Sequence, residues 1–352
     1  MVLRETVLGR TGLKVKSLGF GGIPIQRISE EEAVRVVRRC YELGINYYDT
    51  ARGYSVSEER IGKALEDVRE KVVLATKSGR RKAKEMLEEL EISLINLRTD
   101  WIDVYQLHNV SSYEAWDQIK GPGGALEALY KARDEGKIRH LGITSHDPAV
   151  LADIVREDIF EIIMIPYNYL TINPEEELLP LCKENNVGTV IMKPFGGGAF
   201  SNANIALKYV LSKDYVDVTI PGMMTVGEVE ENFRVATMPH IISEEELELI
   251  ETDRVELGDQ FCRACNYCQP CPQEIPITFI LRAESQFLKR MGWRPGTEER
   301  FAEAIEKADS CIECGECETR CPYRLPIRKL LPERATSLTK LLETRLANAA
   351  SI

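Results

Sequence analysis

Two sets of residues in this chain have the types and spacing that chemistry needs. The first is a crowd of cysteines. Eight of ten fall in two runs, Cys262-Arg263-Ala264-Cys265-Asn266-Tyr267-Cys268-Gln269-Pro270-Cys271 and Cys311-Ile312-Glu313-Cys314-Gly315-Glu316-Cys317-Glu318-Thr319-Arg320-Cys321, each followed by a proline. The thiolate is a soft metal ligand, and two-residue spacing lets three thiolates wrap one centre. The opening Met1-Val2-Leu3-Arg4-Glu5-Thr6 lacks the apolar core of an export signal, so the runs read as metal ligation rather than as disulfides. The remaining two, Cys40 and Cys182, sit in helical patterns and read as buried thiols. The second set is Asp49, Tyr54, Lys77 and His108, each at or just past the end of a short apolar run. Together they suit carbonyl reduction. A hydride arriving at a carbonyl carbon leaves charge on the oxygen, and a proton donor must stand by. Tyr54 is the candidate acid, with a free phenol pKa of about 10. Lys77 would lower that value, Asp49 would hold Lys77 charged, and His108 would orient the substrate oxygen.

Positioning these four requires a repeating frame. Eight short runs rich in Val and Ile have the character of buried parallel strands: 16–20, 47–49, 72–76, 101–107, 140–143, 162–165, 188–192 and 216–220. Amphipathic stretches alternate with them. Ser29 before Glu30-Glu31-Glu32, Asn173-Pro174-Glu175 and Ser243-Glu244-Glu245 are helix starts, and Gly44, Gly136 and Gly188 are read as helix ends. Eight such pairs predict a (β/α)8 TIM barrel, in which chemistry gathers where strands end and loops begin. Residues 6–15 read as a hairpin that could plug the other end of the barrel. A doubly wound sheet would carry a Gly-rich fingerprint after its first strand, and Gly19-Phe20-Gly21-Gly22 does not match it. The expected division is a barrel over 1–258 and a mainly α-helical cysteine domain over 259–352, the latter ending in an amphipathic helix over 337–350.

Composition narrows the partners. The 352 residues carry a formal net charge of -11 and are 44% hydrophobic. Net acidity argues against nucleic acid, which needs a basic face. No apolar run nears the roughly 20 residues of a membrane helix. A cytoplasmic protein with no membrane partner is expected.

Three motifs carry a family resemblance. The stretch from Asp49 to Gly62, the lysine motif Thr76-Lys77-Ser78-Gly79 and the histidine motif Gln106-Leu107-His108-Asn109 resemble the aldo-keto reductases, as does the opening Leu8-Gly9-Arg10-Thr11-Gly12-Leu13. The resemblance runs from about residue 3 to residue 240. It implies an oxidoreductase in which Asp49, Tyr54, Lys77 and His108 form the catalytic tetrad and the cofactor is NAD(H) or NADP(H). By the same resemblance Ser145 matches the carboxamide contact, and Glu231 and Asn232 match adenine contacts beyond Gly222. Other positions depart from the pattern: His146 replaces an Asn, Met164 a Gln, and Met192, followed by Lys193, an aromatic. Gly21 and Gly22 at the first strand's end are grouped with the cofactor contacts. Glu228 stands where NADP-preferring members place an Arg. Its carboxylate would repel a 2′-phosphate, so NADH is favoured; the alternative is that Glu228 only occupies the first turn of a helix.

The second cysteine run resembles the bacterial ferredoxin pattern, in which the final Cys-Pro serves the other cluster. Two [4Fe-4S] clusters follow, one on Cys262, Cys265, Cys268 and Cys321, the other on Cys311, Cys314, Cys317 and Cys271. The first run is one residue shorter before its last cysteine. The helical stretches 277–291 and 298–308, with a break at Arg294-Pro295-Gly296, resemble the α-helical ferredoxins. Zinc on two C-x-x-C pairs is the competing reading.

The expectation is an NAD(P)H-linked reductase of a small-molecule carbonyl substrate coupled to iron–sulfur electron transfer. Hydride carries two electrons and each cluster one, so direct exchange needs an intermediary such as a flavin, for which the chain shows no clear motif. A ferredoxin or flavoprotein is the corresponding redox partner. Two alternatives stand beside this: a non-enzymatic electron-transfer or redox-sensing protein on a relic barrel, and a plain carbonyl reductase with structural clusters.

Overall fold

A computed structural model describes residues 2–258, 260–288, 293 and 296–350. They form two compact units, Met1–Phe195 with Asn202–Leu247, and Gly196–Ser201 with Glu248–Ile352.

In the first unit, β1 (Glu5–Val7) and β2 (Lys14–Lys16) form the antiparallel hairpin expected near the start. Eight parallel strands follow in chain order: β3 (Phe20–Gly21), β4 (Tyr47–Asp49), β5 (Val73–Ser78), β6 (Ile102–Leu107), β7 (Ile138–Thr144), β8 (Ile162–Pro166), β9 (Gly188–Met192) and β10 (Val218–Thr219). Bridges from Leu18 to Thr219 and from Gly21 to Gly222 join the first strand to the last, so the sheet closes as the (β/α)8 reading requires. The helices of the connections are α1 (Glu30–Glu42), α2 (Ser57–Leu65), α3 (Ala83–Leu97), α4 (Tyr113–Lys120) and α5 (Ala125–Asp134), α6 (Pro148–Arg156), α7 (Leu178–Glu184), α8 (Ala203–Leu211) and α9 (Val226–Ala236). Capping boxes open α1 at Ser29 and α9 at Thr225.

The side-chain period of two decides what each strand offers. Tyr47, Val73, Ala75, Val104, Ile162, Met164, Val190 and Val218 form the barrel's interior cluster, and Leu8 and Val15 of the hairpin region join it. Tyr48, Leu74, Tyr105, Ile163 and Ile191 face the helices instead. The inward rows continue to Asp49 on β4, Lys77 on β5, and Gln106 and His108 on and past β6. Register sets Asp49 beside Ala75 and Lys77 beside Gln106.

Two expectations need correction. The first strand does not begin at Lys16: residues 14–16 pair back into the hairpin, and the barrel strand starts at Phe20. Gly188 does not end a helix. It opens β9, a Cβ there would stand 2.8 Å from the Leu8 side chain, and Asn186 takes the left-handed conformation with φ 51°. The glycine serves the plug rather than a cap.

In the second unit, α10 (Glu244–Leu257) runs across the division. After the first cysteine run come α11 (Ile277–Arg282), continued by a wider turn over Ala283–Leu288, then α12 (Thr297–Asp309), α13 (Glu316–Thr319) and α14 (Ile327–Ala350). The helix expected over 277–291 is described only to Leu288. Of the Arg294-Pro295-Gly296 break only Gly296 lies within the described residues, at φ 79°. The last helix starts ten residues earlier than expected. Pro332 stands inside it, where a proline ordinarily breaks a helix, but Leu330 and Leu331 are buried in this unit's core and hold the first turns. No described helix is long and apolar enough to cross a membrane.

Candidate functional site

Three strand ends and one loop bring the four expected residues together. The Lys77 Nζ donates to Asp49 Oδ1 at 2.5 Å and to the Thr50 carbonyl at 2.8 Å. It stands 5.1 Å from the centre of the Tyr54 ring, and that ring meets His108 edge-on with centroids 6.1 Å apart. Asp49 and Lys77 are buried. Burial pushes the Asp49 carboxyl up and Lys77 draws it back down, while Asp49 and Tyr54 hold Lys77 above its ordinary value against burial. Lys77 is therefore a fixed cation. Its pull on Tyr54 has the expected direction, but burial outweighs it and Asp49 opposes it, so the phenol lies above its usual value and keeps its proton near neutrality. His108 is pushed down to about 3, first by burial and then by Lys77 and Arg81. A neutral imidazole can donate without adding charge.

The surrounding network includes residues that pattern reading passed over. Gln106 Nε2 donates to Asp49 Oδ2 at 3.0 Å, the second hold on this carboxylate. Its amide fits because Gly142 on the next strand lacks a Cβ, which would stand 2.8 Å from Gln106 Cγ. Glu58 is fully buried, pairs with Arg52, and accepts from Thr76 at 2.7 Å, Ser93 at 2.8 Å and Asn96 at 3.2 Å. It ties α2 to β5 and α3, the elements that carry Tyr54's loop and Lys77. Glu58 lies within the quoted aldo-keto reductase stretch, yet only the fold shows that it is buried. Ser55, Asn109 and Lys193, at strand ends or the loops after them, hold left-handed φ of 43°, 63° and 56°, strain that concentrates where function does.

The expected cofactor contacts are less uniform. Ser145 is buried, 2.8 Å from Ser111 Oγ, and Ser111 accepts from the His146 N–H at 3.1 Å. His146 is held well below its usual pKa by burial and by Lys193. Met164 lies in the barrel interior, with Met192 half-buried against the same cluster. Gly21 and Gly22 make room for backbone: a Cβ would approach Ile220 O and Asp49 O at 2.7 Å each. Gly222 packs on Pro24. Asn232 is buried and Glu231 exposed on α9. Glu228 accepts from the N–H of Met224 at 2.6 Å and of Thr225 at 3.3 Å, so it does cap its helix.

The two cysteine runs have matching backbones. Left-handed residues recur at Ala264 and Glu313, at Asn266 and Gly315, and at Glu274 and Arg324. The Glu274 N–H donates to Cys271 O at 2.9 Å and the Arg324 N–H to Cys321 O at 3.0 Å, after which α11 and α14 both begin. An internal repeat thus underlies both runs. Its signal was Cys-Pro followed by Ile275-Pro276-Ile277 in one copy and Leu325-Pro326-Ile327 in the other. Cys271, Cys311, Cys314 and Cys317, with Cys268, line a small hollow. Cys262 and Cys268 are raised first by burial, and Cys321's charge adds to both. Among the described residues no three His, Cys, Asp or Glu side chains converge to hold a single metal ion. Thiols ringing a hollow fit a cluster with several sulfur corners better than a lone zinc.

Comparison with known proteins agrees with both halves. Residues 17–204 match the aldo/keto reductase family and residues 261–326 a 4Fe-4S dicluster domain. L-galactose dehydrogenase of Arabidopsis thaliana is 28% identical over 303 residues, covering 72% of this chain and 91% of that protein. NADH-specific methylglyoxal reductase of Escherichia coli is 28% identical over 235 residues, covering 60% and 69%. The holo form of aldo-keto reductase AKR11C1 from Bacillus halodurans superposes with a TM-score of 0.63 at 28% identity, covering 71% of this chain and 96% of that one. The first match takes in more than half of the chain, which is therefore an oxidoreductase of the aldo/keto reductase family with a 4Fe-4S dicluster domain following its barrel.

Proposed function

We propose that the barrel reduces a small carbonyl compound with a nicotinamide dinucleotide, and that a C-terminal domain from about residue 259 holds two [4Fe-4S] clusters that exchange electrons with an external ferredoxin or flavoprotein. The observation that carries the first part is the Lys77–Asp49 pair beneath the Tyr54 ring, with His108 at the ring's edge. When bound, the dinucleotide supplies the hydride. Tyr54 Oη gives its proton to the carbonyl oxygen, and Lys77 stabilises the phenolate left behind. His108, neutral, donates to the same oxygen and aims the carbonyl. Asp49 keeps Lys77 charged and in place. Ser145 is suited to the carboxamide, Met192 to the ring face, and Glu231 and Asn232 to adenine.

NADH is the preferred form. The Glu228 carboxylate already occupies the amides at the start of α9, where a 2′-phosphate would otherwise be drawn, and it would repel that phosphate. The internal repeat supports two equivalent cluster loops, with Cys262, Cys265, Cys268 and Cys321 as one ligand set and Cys271, Cys311, Cys314 and Cys317 as the other. One further observation favours clusters that staple the fold instead: Cys262, Cys268 and Cys321 sit among apolar residues in this unit's core.

Anaerobically purified protein should oxidise NADH faster than NADPH in the presence of small aldehydes and ketones. Tyr54→Phe should lower that rate by about 100-fold or more, the usual worth of a general acid, with nucleotide affinity kept. Full activity in Tyr54→Phe would remove the carbonyl reading. Bleaching of the cluster absorbance by NADH with a flavoprotein mediator would support electron exchange, and unbleached clusters in an active enzyme would support staples.

A further inference from the structure

We propose that Arg282 sets the reduction potential of the cluster that Cys262 ligates and ties it to the position of the Gly196–Ser201 loop. This rests on the ligand sets proposed above. Arg282 is 3% exposed at the end of α11. Burying a guanidinium is costly, so its surroundings must compensate. It donates to the carbonyls of Gly196 at 3.1 Å and Gly197 at 3.4 Å, and its Cζ lies 4.5 Å from the centre of the Phe261 ring, beside Cys262 in the chain.

The internal repeat shows what is particular about it. Ile277 and Ile327 open equivalent helices, so the position equivalent to Arg282 in the second copy is Pro332. The first cysteine run also has Arg263, which donates to Phe261 O at 2.7 Å and stacks 4.7 Å from the Tyr323 ring. The second run instead carries Glu313, Glu316 and Glu318, with Arg320 and Arg328 paired to the latter two. Adding an electron makes a cluster more negative. Nearby cations favour that state and raise the potential, and carboxylates lower it. The two clusters should therefore differ, with the Cys262 cluster the higher.

The loop is held at both ends within the same unit. Arg282 takes the carbonyls of Gly196 and Gly197, and Asp253 accepts from the Ser201 N–H at 3.1 Å. The Phe200 and Phe261 rings lie 6.3 Å apart. Gly196, Gly197 and Gly198 have φ of 54°, 71° and 85°, so the carbonyls reach the guanidinium through backbone that other residues rarely adopt. Lys193, next in the chain to Met192 of the proposed nucleotide contacts, precedes Gly196 by three residues. A loop shift on nucleotide binding would move the guanidinium, and with it the cluster potential.

The test is an anaerobic redox titration of the full-length holoprotein followed by EPR, with iron and sulfide assayed in each variant. Wild type should show two separate midpoints. Arg282→Gln should lower the upper one and leave the lower unchanged, and Arg282→Lys should stay near wild type. Gly197→Ala, which strains the loop without changing charge, should shift the upper midpoint in part. NAD⁺, which cannot reduce the clusters, should shift it in wild type but not in Arg282→Gln. If Arg282→Gln loses iron, the Gly197→Ala arm and the NAD⁺ shift in wild type, read beside Arg282→Lys, still decide. Unmoved midpoints at full iron content, or equal shifts in the Gln and Lys variants, overturn the proposal. Wild type without reducible clusters would overturn the ligand sets themselves.

Discussion

At the scale of single residues, the candidate site has little redundancy. Asp49 is held by Lys77 on one oxygen and by Gln106 on the other. Gln106→Leu keeps the volume and removes the second hold. A hydrogen bond to a charged group is worth about 1.5–3 kcal/mol, so with part of that loss falling on the transition state kcat should drop by about ten-fold. Dinucleotide affinity should not change, because Gln106 is not among the proposed nucleotide contacts. A fall in affinity with unchanged kcat would show that Gln106 serves binding instead. His108 allows a separate check on electrostatics. Its folded pKa is pushed to about 3, below the ordinary value of about 6.5. The unfolded chain then takes up a proton that the folded one does not as pH falls from about 6.5 toward 3, so this residue's contribution to stability is lost across that window and is complete above it. Histidine nitrogen NMR should show His108 neutral from pH 8 to pH 5, and a charged signal at pH 6 would refute it.

At the scale of elements, two glycines do different work. Ala at 142 would push on Gln106, and should reproduce the Gln106→Leu loss of kcat without touching a polar group. Ala at 188 would strike Leu8 at the closed end of the barrel. That change should cost about 1–3 kcal/mol of stability, as overpacking does, and leave KM and kcat alone at low temperature. Thermal melts beside steady-state kinetics separate the two outcomes. The contrast also shows what could be read without coordinates. Strand parity is a local property, so Asp49, Lys77 and His108 were legible at the ends of apolar runs. Gly188 was misread because a helix end and a crowded strand start both call for glycine, and only the hairpin folding back with Leu8 decides between them. The first strand was misplaced for the same reason, since residues 14–16 suit either a hairpin or a barrel strand and pairing partners choose. Gln106 and Glu58 gain meaning from residues 57 and 18 positions away, a distance no local pattern spans. The two cysteine runs stand out by their spacing, and the helical repeat behind them was hidden by the one-residue difference between the runs.

At the scale of the whole molecule, the two units should respond differently to loss of iron. The barrel's core clusters include none of the eight cysteines of the two runs, whereas Cys262, Cys268 and Cys321 are part of the second unit's core. Without metal these thiols lose the bonds that offset their burial, and metal-ligand energy becomes folding energy for such small domains. Chelation under reducing conditions should therefore unfold the cysteine unit and spare the barrel. Hydrogen exchange would locate the change: amides of β4 to β9 should keep their protection, and those of 261–326 should lose it. The loop Gly196–Ser201 is the informative segment. It follows β9 in the chain, but its holds are Arg282 and Asp253 of the second unit. It should lose protection together with the cysteine runs, and nucleotide affinity should weaken although the barrel strands remain folded. A loop that stays protected after iron loss would mean that it belongs energetically to the barrel, and that Arg282 merely rests against it.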